Sequence, residues 1–240
     1  MGTWEFYLNI LIPALNKGLL VSIQIIVPSA ILGVIIGILV GAGRALGSKW
    51  LTVILDSYVA VFRGTPLVVQ LMLWFYGLPS IRLILEAHFG PEIRPISNLF
   101  LLSPYVASVA AFAMCSGAYQ SEYIRGAILS IKKGQFKAAL SLGFTKSQTF
   151  WHITCPMAIR RALPGCGNEI IYLIKYSSLA MIVTMSELTG EAKGIASLYF
   201  RHLECYLLTA VYYLLLVTIA SFILKKIENY LAIPGQLRSQ

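Results

Sequence analysis

Gly18-Leu-Leu-Val-Ser-Ile-Gln-Ile-Ile-Val-Pro28-Ser-Ala-Ile-Leu-Gly33-Val-Ile-Ile-Gly37-Ile-Leu-Val-Gly41-Ala-Gly43 carries no charged side chain from end to end. A hydrocarbon core ~30 Å thick is crossed by about 20 apolar residues in a helix, so this stretch is long enough to span. Gly33, Gly37 and Gly41 recur every four residues on one helix face. Small residues at that spacing let a second helix approach the backbone closely. Pro28 marks a candidate kink.

Four more apolar blocks follow. The second runs from Leu51 to about Ile81 and is interrupted by Asp56 and Arg63. The third lies between Arg94 and Glu122. The fourth, from about Pro164 to Glu187, contains Glu169 and Lys175 and is the weakest by hydropathy. The fifth runs from Cys205 to Leu224. Of the 240 residues 58% are apolar and 12% charged, against about 25% charged in soluble domains. Backbone polar groups in lipid must be satisfied internally, which leaves helices or closed barrels. Barrel strands alternate polar and apolar residues, and these blocks do not. The expectation is an all-α membrane protein with about five transmembrane helices, residues 1–240 forming a single transmembrane domain. The apolar run near the N-terminus is too long for the core of a cleavable signal.

The net charge is +9, and its distribution orients the chain. Arg125, Lys132, Lys133, Lys137, Lys146, Arg160 and Arg161 lie between blocks three and four with no acidic residue among them. Arg44 and Lys49 follow block one; Lys225, Lys226 and Arg238 follow block five. The remaining loops mix both signs. The positive-inside rule puts the all-basic loops in the cytoplasm, the N-terminus outside and the C-terminus inside. No groove-reading motif accompanies the basic residues, which argues against nucleic acid. The four cysteines form no CxxC pair, and His88, His152 and His202 have no metal-ligand spacing. No serine stands in a nucleophile arrangement. A phosphate-binding loop requires Gly-Lys followed by Ser or Thr, and the chain has no Gly-Lys dipeptide. ATP-driven work would draw on another chain.

The basic loop, about 125–163, is the most informative cytoplasmic stretch. Phe136, Ala139, Leu140 and Phe144 recur at helical spacing. Gly143 is placed to end one short helix, and Thr145 with Gln148 forms a capping-box pattern that opens another. Two short helices meeting at Gly143 are predicted, either lying on the membrane or docking a soluble partner.

Within the membrane, Arg63 falls near mid-depth of block two and precedes Gly64-Thr65-Pro66. Proline removes a donor and pushes Thr65 out of helical geometry, and broken helices at mid-membrane are used for transporter substrate sites. Arg63 and Thr65 are therefore candidates for a substrate path, with a structural ion pair from Arg63 to Asp56 or Glu169 as the alternative. Glu122, Glu169 and Lys175 are further candidates, Glu122 and Lys175 close enough to their span ends to reach the interface. Tyr119 reads as packing with its hydroxyl in search of a partner.

Ala138, Ala139, Gly143, Ile153 and Pro156 stand in the register of the cytoplasmic motif of ABC-importer permeases. Lys137 occupies the position of that motif's usual Glu, and Cys155 that of its Leu. Val61-Phe-Arg-Gly-Thr-Pro-Leu-Val-Val-Gln70, Ser116-Gly-Ala-Tyr-Gln-Ser-Glu122 and Gly167-Asn168 extend the likeness, as does Ser178-Leu179 onward to Glu187-Leu-Thr189. Lys175-Tyr176-Ser177 replaces the usual Lys-Asp-Thr. From about Lys17 to Ile233 the chain resembles the permeases of polar amino-acid ABC importers, the histidine, glutamate, glutamine, arginine and opine type, with glutamine and arginine permeases foremost.

The resemblance implies a methionine-importer-like permease fold and a transport subunit that is not itself an enzyme. It implies a bacterial inner-membrane location and two ATP-binding cassette subunits that hold ATP and Mg, this chain having no cofactor. It also implies a second permease subunit, an extracytoplasmic amino-acid-binding protein and an amino-acid substrate. Both homodimeric and heterodimeric pairs occur in such a family, and the homodimer is favoured. Phe136, Lys137, Ala138, Ala139, Gly143, Phe144, Thr145 and Gln148 would form the coupling element that meets the ATPase, while Tyr119 joins Arg63, Thr65, Glu122, Glu169 and Lys175 along the path.

Overall fold

A computed structural model describes residues 2–131 and 133–231. The basic residues Lys132 and Arg238, and the C-terminal limit of the resemblance at Ile233, lie outside them. The described chain is built of helices: α1 (Thr3–Leu46), α2 (Lys49–Gly64), α3 (Leu67–Phe89), α4 (Arg94–Phe100), α5 (Pro104–Leu129), α6 (Lys133–Ser141), α7 (Lys146–Val183), α8 (Leu188–Tyr199) and α9 (His202–Leu231). Helices α1, α3 and α9 are each long and apolar enough to cross a membrane. Two bent pairs, α4 with α5 at 64° and α7 with α8 at 51°, bring the candidate spans to five.

The boundaries differ most from the sequence blocks in blocks one, two and four. The block read as one span over Leu51–Ile81 is two helices parted at Thr65 and Pro66, and the membrane-length piece is α3. Block four does not begin near Pro164, because α7 continues unbroken from the cytoplasmic loop through that proline. Helix α1 starts at Thr3 and passes through Pro28; at 1.5 Å per residue it is ~66 Å long, about twice the hydrocarbon thickness. One face of the excess is covered, since Phe6, Leu11 and Leu15 are buried against Leu188, Ala192 and Cys205 of α8 and α9.

The centre of the bundle is the pair α1 and α5. A Cβ built on Gly37 would lie 2.7 Å from Gln120 Cβ, and one on Gly41 2.8 Å from Ser121 O. The glycine face thus closes on a helix of the same chain. Around this pair, Ile25, Leu71, Phe112, Leu173 and Val183 form a shared core of α1, α3, α5 and α7. The outer face of α9 presents Leu203, Leu207, Leu214 and Phe222 outward, as a lipid-facing helix must.

The bend between α7 and α8 has a chemical fastening. Thr184 is left-handed at φ 64°, ending α7. Glu187 then caps α8: Oε1 accepts from Gly190 N at 2.9 Å and Oε2 from Thr189 N at 2.9 Å. Tyr213 Oη on α9 donates to the same Oε2 at 2.9 Å, and Ser22 Oγ on α1 donates to it at 3.5 Å. Glu187 is fully buried, and these donors offset the cost of desolvating it.

Candidate functional site

Helix α2 ends where the sequence demands. Thr65 is extended at φ −114° and ψ 145°, and Pro66 leads into α3. The broken ends are stitched by one side chain from the next turn: Gln70 Nε2 donates to Phe62 O at 2.8 Å, to Thr65 O at 3.0 Å and to Thr65 Oγ1 at 2.8 Å. Thr65 Oγ1 donates in turn to Val61 O at 2.8 Å. Carbonyls left open by the missing helical turn are thereby satisfied inside the protein.

A cavity of about 440 Å³ opens at this break, walled by Arg63, Thr65 and Leu67 from the break, Cys115 and Tyr119 from α5, and Tyr176 from α7. Arg63 reaches across it. Its Nη1 lies 2.9 Å from Glu122 Oε1, and its guanidinium carbon sits 5.2 Å over the Tyr119 ring. Glu122 is shared, because Arg44 Nη1 donates to the same Oε1 at 3.1 Å while Arg44 Nε meets Asp56 Oδ1 at 2.6 Å. Arg44 and Arg63 alternate with Asp56 and Glu122 in a chain of balanced charge across α1, α2 and α5. The Arg44 side chain is only 7% exposed.

The structure therefore brings together Arg63, Thr65, Tyr119 and Glu122. Neither Asp56 nor Glu169 is the ion-pair partner of Arg63: Asp56 is held by Arg44, and Glu122 fills the role. Glu122 does not snorkel, being retained between two guanidiniums. Glu169 and Lys175 do not line the cavity; Glu169 is 5% exposed within the bundle, and Lys175 Nζ lies 5.0 Å over the Tyr172 ring.

Arg44, Gln70, Cys115 and Tyr176 were not legible as site residues. Arg44 reads in sequence as a topological charge after block one, and only its place in the last turn of a longer helix makes it an internal partner. Gln70 carries a local signal, a donor amide a few residues past a proline break, but nothing in the spacing says which way it folds back.

On the cytoplasmic loop, α6 ends in a Schellman motif. Gly143 N donates to Leu140 O at 3.0 Å and Phe144 N to Ala139 O at 3.1 Å, with Gly143 left-handed at φ 89°. Thr145 and Gln148 then cap α7 reciprocally, Thr145 N to Gln148 Oε1 at 2.9 Å and Gln148 N to Thr145 Oγ1 at 3.2 Å. The predicted pair of helices meeting at Gly143 is present, although the second is the start of α7. The predicted apolar face divides: Ala139 points inward, Phe136 is half-buried, and Leu140 and Phe144 are exposed together with Leu142, at 80%. Lys137, Ala138, Thr145 and Gln148 are also exposed.

A family model described as the binding-protein-dependent transport system inner membrane component matches residues 33–231. The glutamine transport system permease protein GlnP of Escherichia coli (strain K12) is 35% identical over 222 residues, covering 92% of this chain and 94% of that protein. The arginine transport system permease protein ArtQ of Bacillus subtilis (strain 168) is 33% identical over 220 residues, covering 92% and 93%. Among solved structures, a crystal structure of an amino acid ABC transporter with histidines superposes with a TM-score of 0.76 at 30% identity, over 91% of this chain and 94% of the other. The inward-facing methionine ABC transporter MetNI gives a TM-score of 0.74 at 17% identity, over 97% and 100%, a likeness of fold.

Proposed function

We propose that this chain, which belongs to the family of binding-protein-dependent transport system inner membrane components, is the membrane-spanning permease subunit of an ABC importer for polar amino acids. Its relatives carry glutamine and arginine in their names. It is a multi-pass inner-membrane protein and a transport component; ATP is bound and hydrolysed by separate subunits. The partners of such a permease are those ATPase subunits and a substrate-binding protein. Two permease chains, two ATPase chains holding ATP and Mg, and a homodimeric permease pair make up the finer reading. In it the N-terminus faces outward and the α6–Gly143–α7 element faces the cytoplasm.

The observation that carries the reading is the path of α7. The helix begins at Lys146 beside the exposed Leu142 and Phe144 and carries Tyr176 to the cavity wall. Thirty residues of helix reach ~45 Å. A push on the coupling element is delivered by one continuous helix to the place where Arg63, Thr65 and Tyr119 meet, and rocking of that wall opens or closes the path. Such a device needs two arrangements that the partner can bias. Glu169 and Lys175 lie on the same helix and would move with it.

Affinity purification of the solubilised chain from its own cells, followed by ATP-dependent uptake in liposomes, tests this. Co-purification of an ATPase in a one-to-one ratio with this chain alone supports the homodimeric importer. A second permease chain in the complex replaces the homodimer with a heterodimer. Amino-acid uptake that follows an ion gradient without ATP overturns the reading.

A further inference from the structure

A second concavity, about 370 Å³, lies apart from the Arg63 cavity. Its walls include Leu46 at the end of α1, Leu129 at the end of α5, Ile131, Phe136 and Lys137 of the coupling element, and Phe150 of α7. Leu46 and Leu129 are each 58% exposed, so the apolar walls stand open. Two walls are the last residues of helices that cross the bilayer; the others belong to the basic loop. A groove at the ends of two such helices is within reach of lipid on the side the basic loop occupies. Among the described residues Lys137 is the one charged side chain on its wall, and no carboxylate occurs in the sequence between Glu122 and Glu169. Leu142 and Phe144, which project from the coupling element, do not line it.

We infer that this groove binds an anionic phospholipid, one acyl chain lying along Leu46, Leu129, Ile131 and Phe150 and the phosphate meeting Lys137. An amphiphile with an apolar tail and a negative head matches both properties of the site: open apolar walls at the ends of membrane-crossing helices and a cation beside them. A zwitterionic lipid brings its own cation and gains less from Lys137. The occupant touches the ends of α1 and α5 and the coupling element at once. It therefore holds the coupling element against the bundle, so that motion imposed by an ATPase is passed to α7 rather than lost in α6.

The test is lipid retention by the purified complex, weighed by native mass spectrometry after nanodiscs of mixed phosphatidylglycerol and phosphatidylcholine are stripped stepwise with detergent. The wild-type complex keeps phosphatidylglycerol in preference to phosphatidylcholine. Lys137→Gln keeps about fivefold less, the worth of one lysine beside an anionic surface, and Lys137→Arg keeps it as wild type does. Ala45 also lines the groove, and Ala45→Phe, which fills it without altering charge, loses the lipid as well. Equal retention of the two lipids, unchanged retention in Lys137→Gln, or unchanged retention in Ala45→Phe overturns the site. So does lipid held by the permease alone but expelled by the ATPase, which would make that partner the occupant. If no ATPase accompanies the chain, the importer reading fails separately and the lipid comparison still stands on the permease.

Discussion

Gln70 is the residue on which the broken helix depends. Its single amide nitrogen serves Phe62 O, Thr65 O and Thr65 Oγ1, so Gln70→Leu strips Thr65 O of its partner inside the bundle and leaves Phe62 O only the long contact from Cys115 Sγ. Each orphaned acceptor costs about 1–3 kcal/mol, and the thermal midpoint of the solubilised complex should fall accordingly. Gln70→Glu should be worse than Gln70→Leu, because a carboxylate aimed at carbonyls repels them; a Glu variant as stable as wild type contradicts this geometry. The two arginines separate in the same way. Arg44 is enclosed, and its removal leaves Asp56 and Glu122 short of a partner, so Arg44→Ala should lower assembly and stability. Asp56 is half exposed and Glu122 keeps Arg63, so the cost falls below the about 3–5 kcal/mol of breaking a fully buried pair. Arg63 stands at the cavity, and Arg63→Ala should lower uptake more than it lowers the yield of assembled complex. If the two variants show the same ratio of uptake to assembly, Arg63 has only a structural part.

Helix caps were the most legible elements in the sequence and the helix partners the least. Gly143, Thr145 and Gln148 define a stop and a start through local chemistry alone, and both appear where the pattern places them. Pro66 likewise announces its break, since proline acts on the residue before it without regard to the rest of the fold. What local chemistry does not encode is which charges meet. Arg63, Glu122 and Arg44 come from three helices far apart in the chain, and any of the intramembrane carboxylates was chemically acceptable as a partner until packing chose one. Gly143→Val would force a β-branched residue to φ 89°, at a cost of about 1–3 kcal/mol. The expected outcome is a permease that inserts and binds its ATPase weakly, with ATP-dependent uptake lost; uptake at the wild-type rate would remove the coupling role of this turn. Phe144→Asp should do the same without touching the turn.

For the molecule as a whole, Glu187 is the side chain that fastens the α7–α8 bend. It joins the cap of α8 to Ser22 on α1 and Tyr213 on α9, and so ties the α7–α8 bend to both flanking spans. Glu187→Gln keeps the shape but presents an NH2 to donors, and the complex should lose stability and retain the bend poorly. Cysteine pairs placed across the bend and read by crosslinking would show whether its angle survives. Pairing unchanged from wild type means the bend is held by packing alone. In sequence Glu187 marks only the end of block four; its role needs Tyr213 on α9 and Ser22 on α1, the latter from the opposite end of the chain.

The glycine face of α1 carries a consequence for how the protein is made. Because Gly33, Gly37 and Gly41 close on α5 of the same polypeptide, the tightest seam of the bundle needs no second copy and no ATPase. It does need α5, which leaves the ribosome long after α1 has entered the bilayer. In the interval a glycine-lined groove faces lipid, and any nascent helix nearby can occupy it. Synthesis therefore has a vulnerable window that ends when α5 docks, after which the newborn chain should resist protease whether or not the rest of the transporter has been translated.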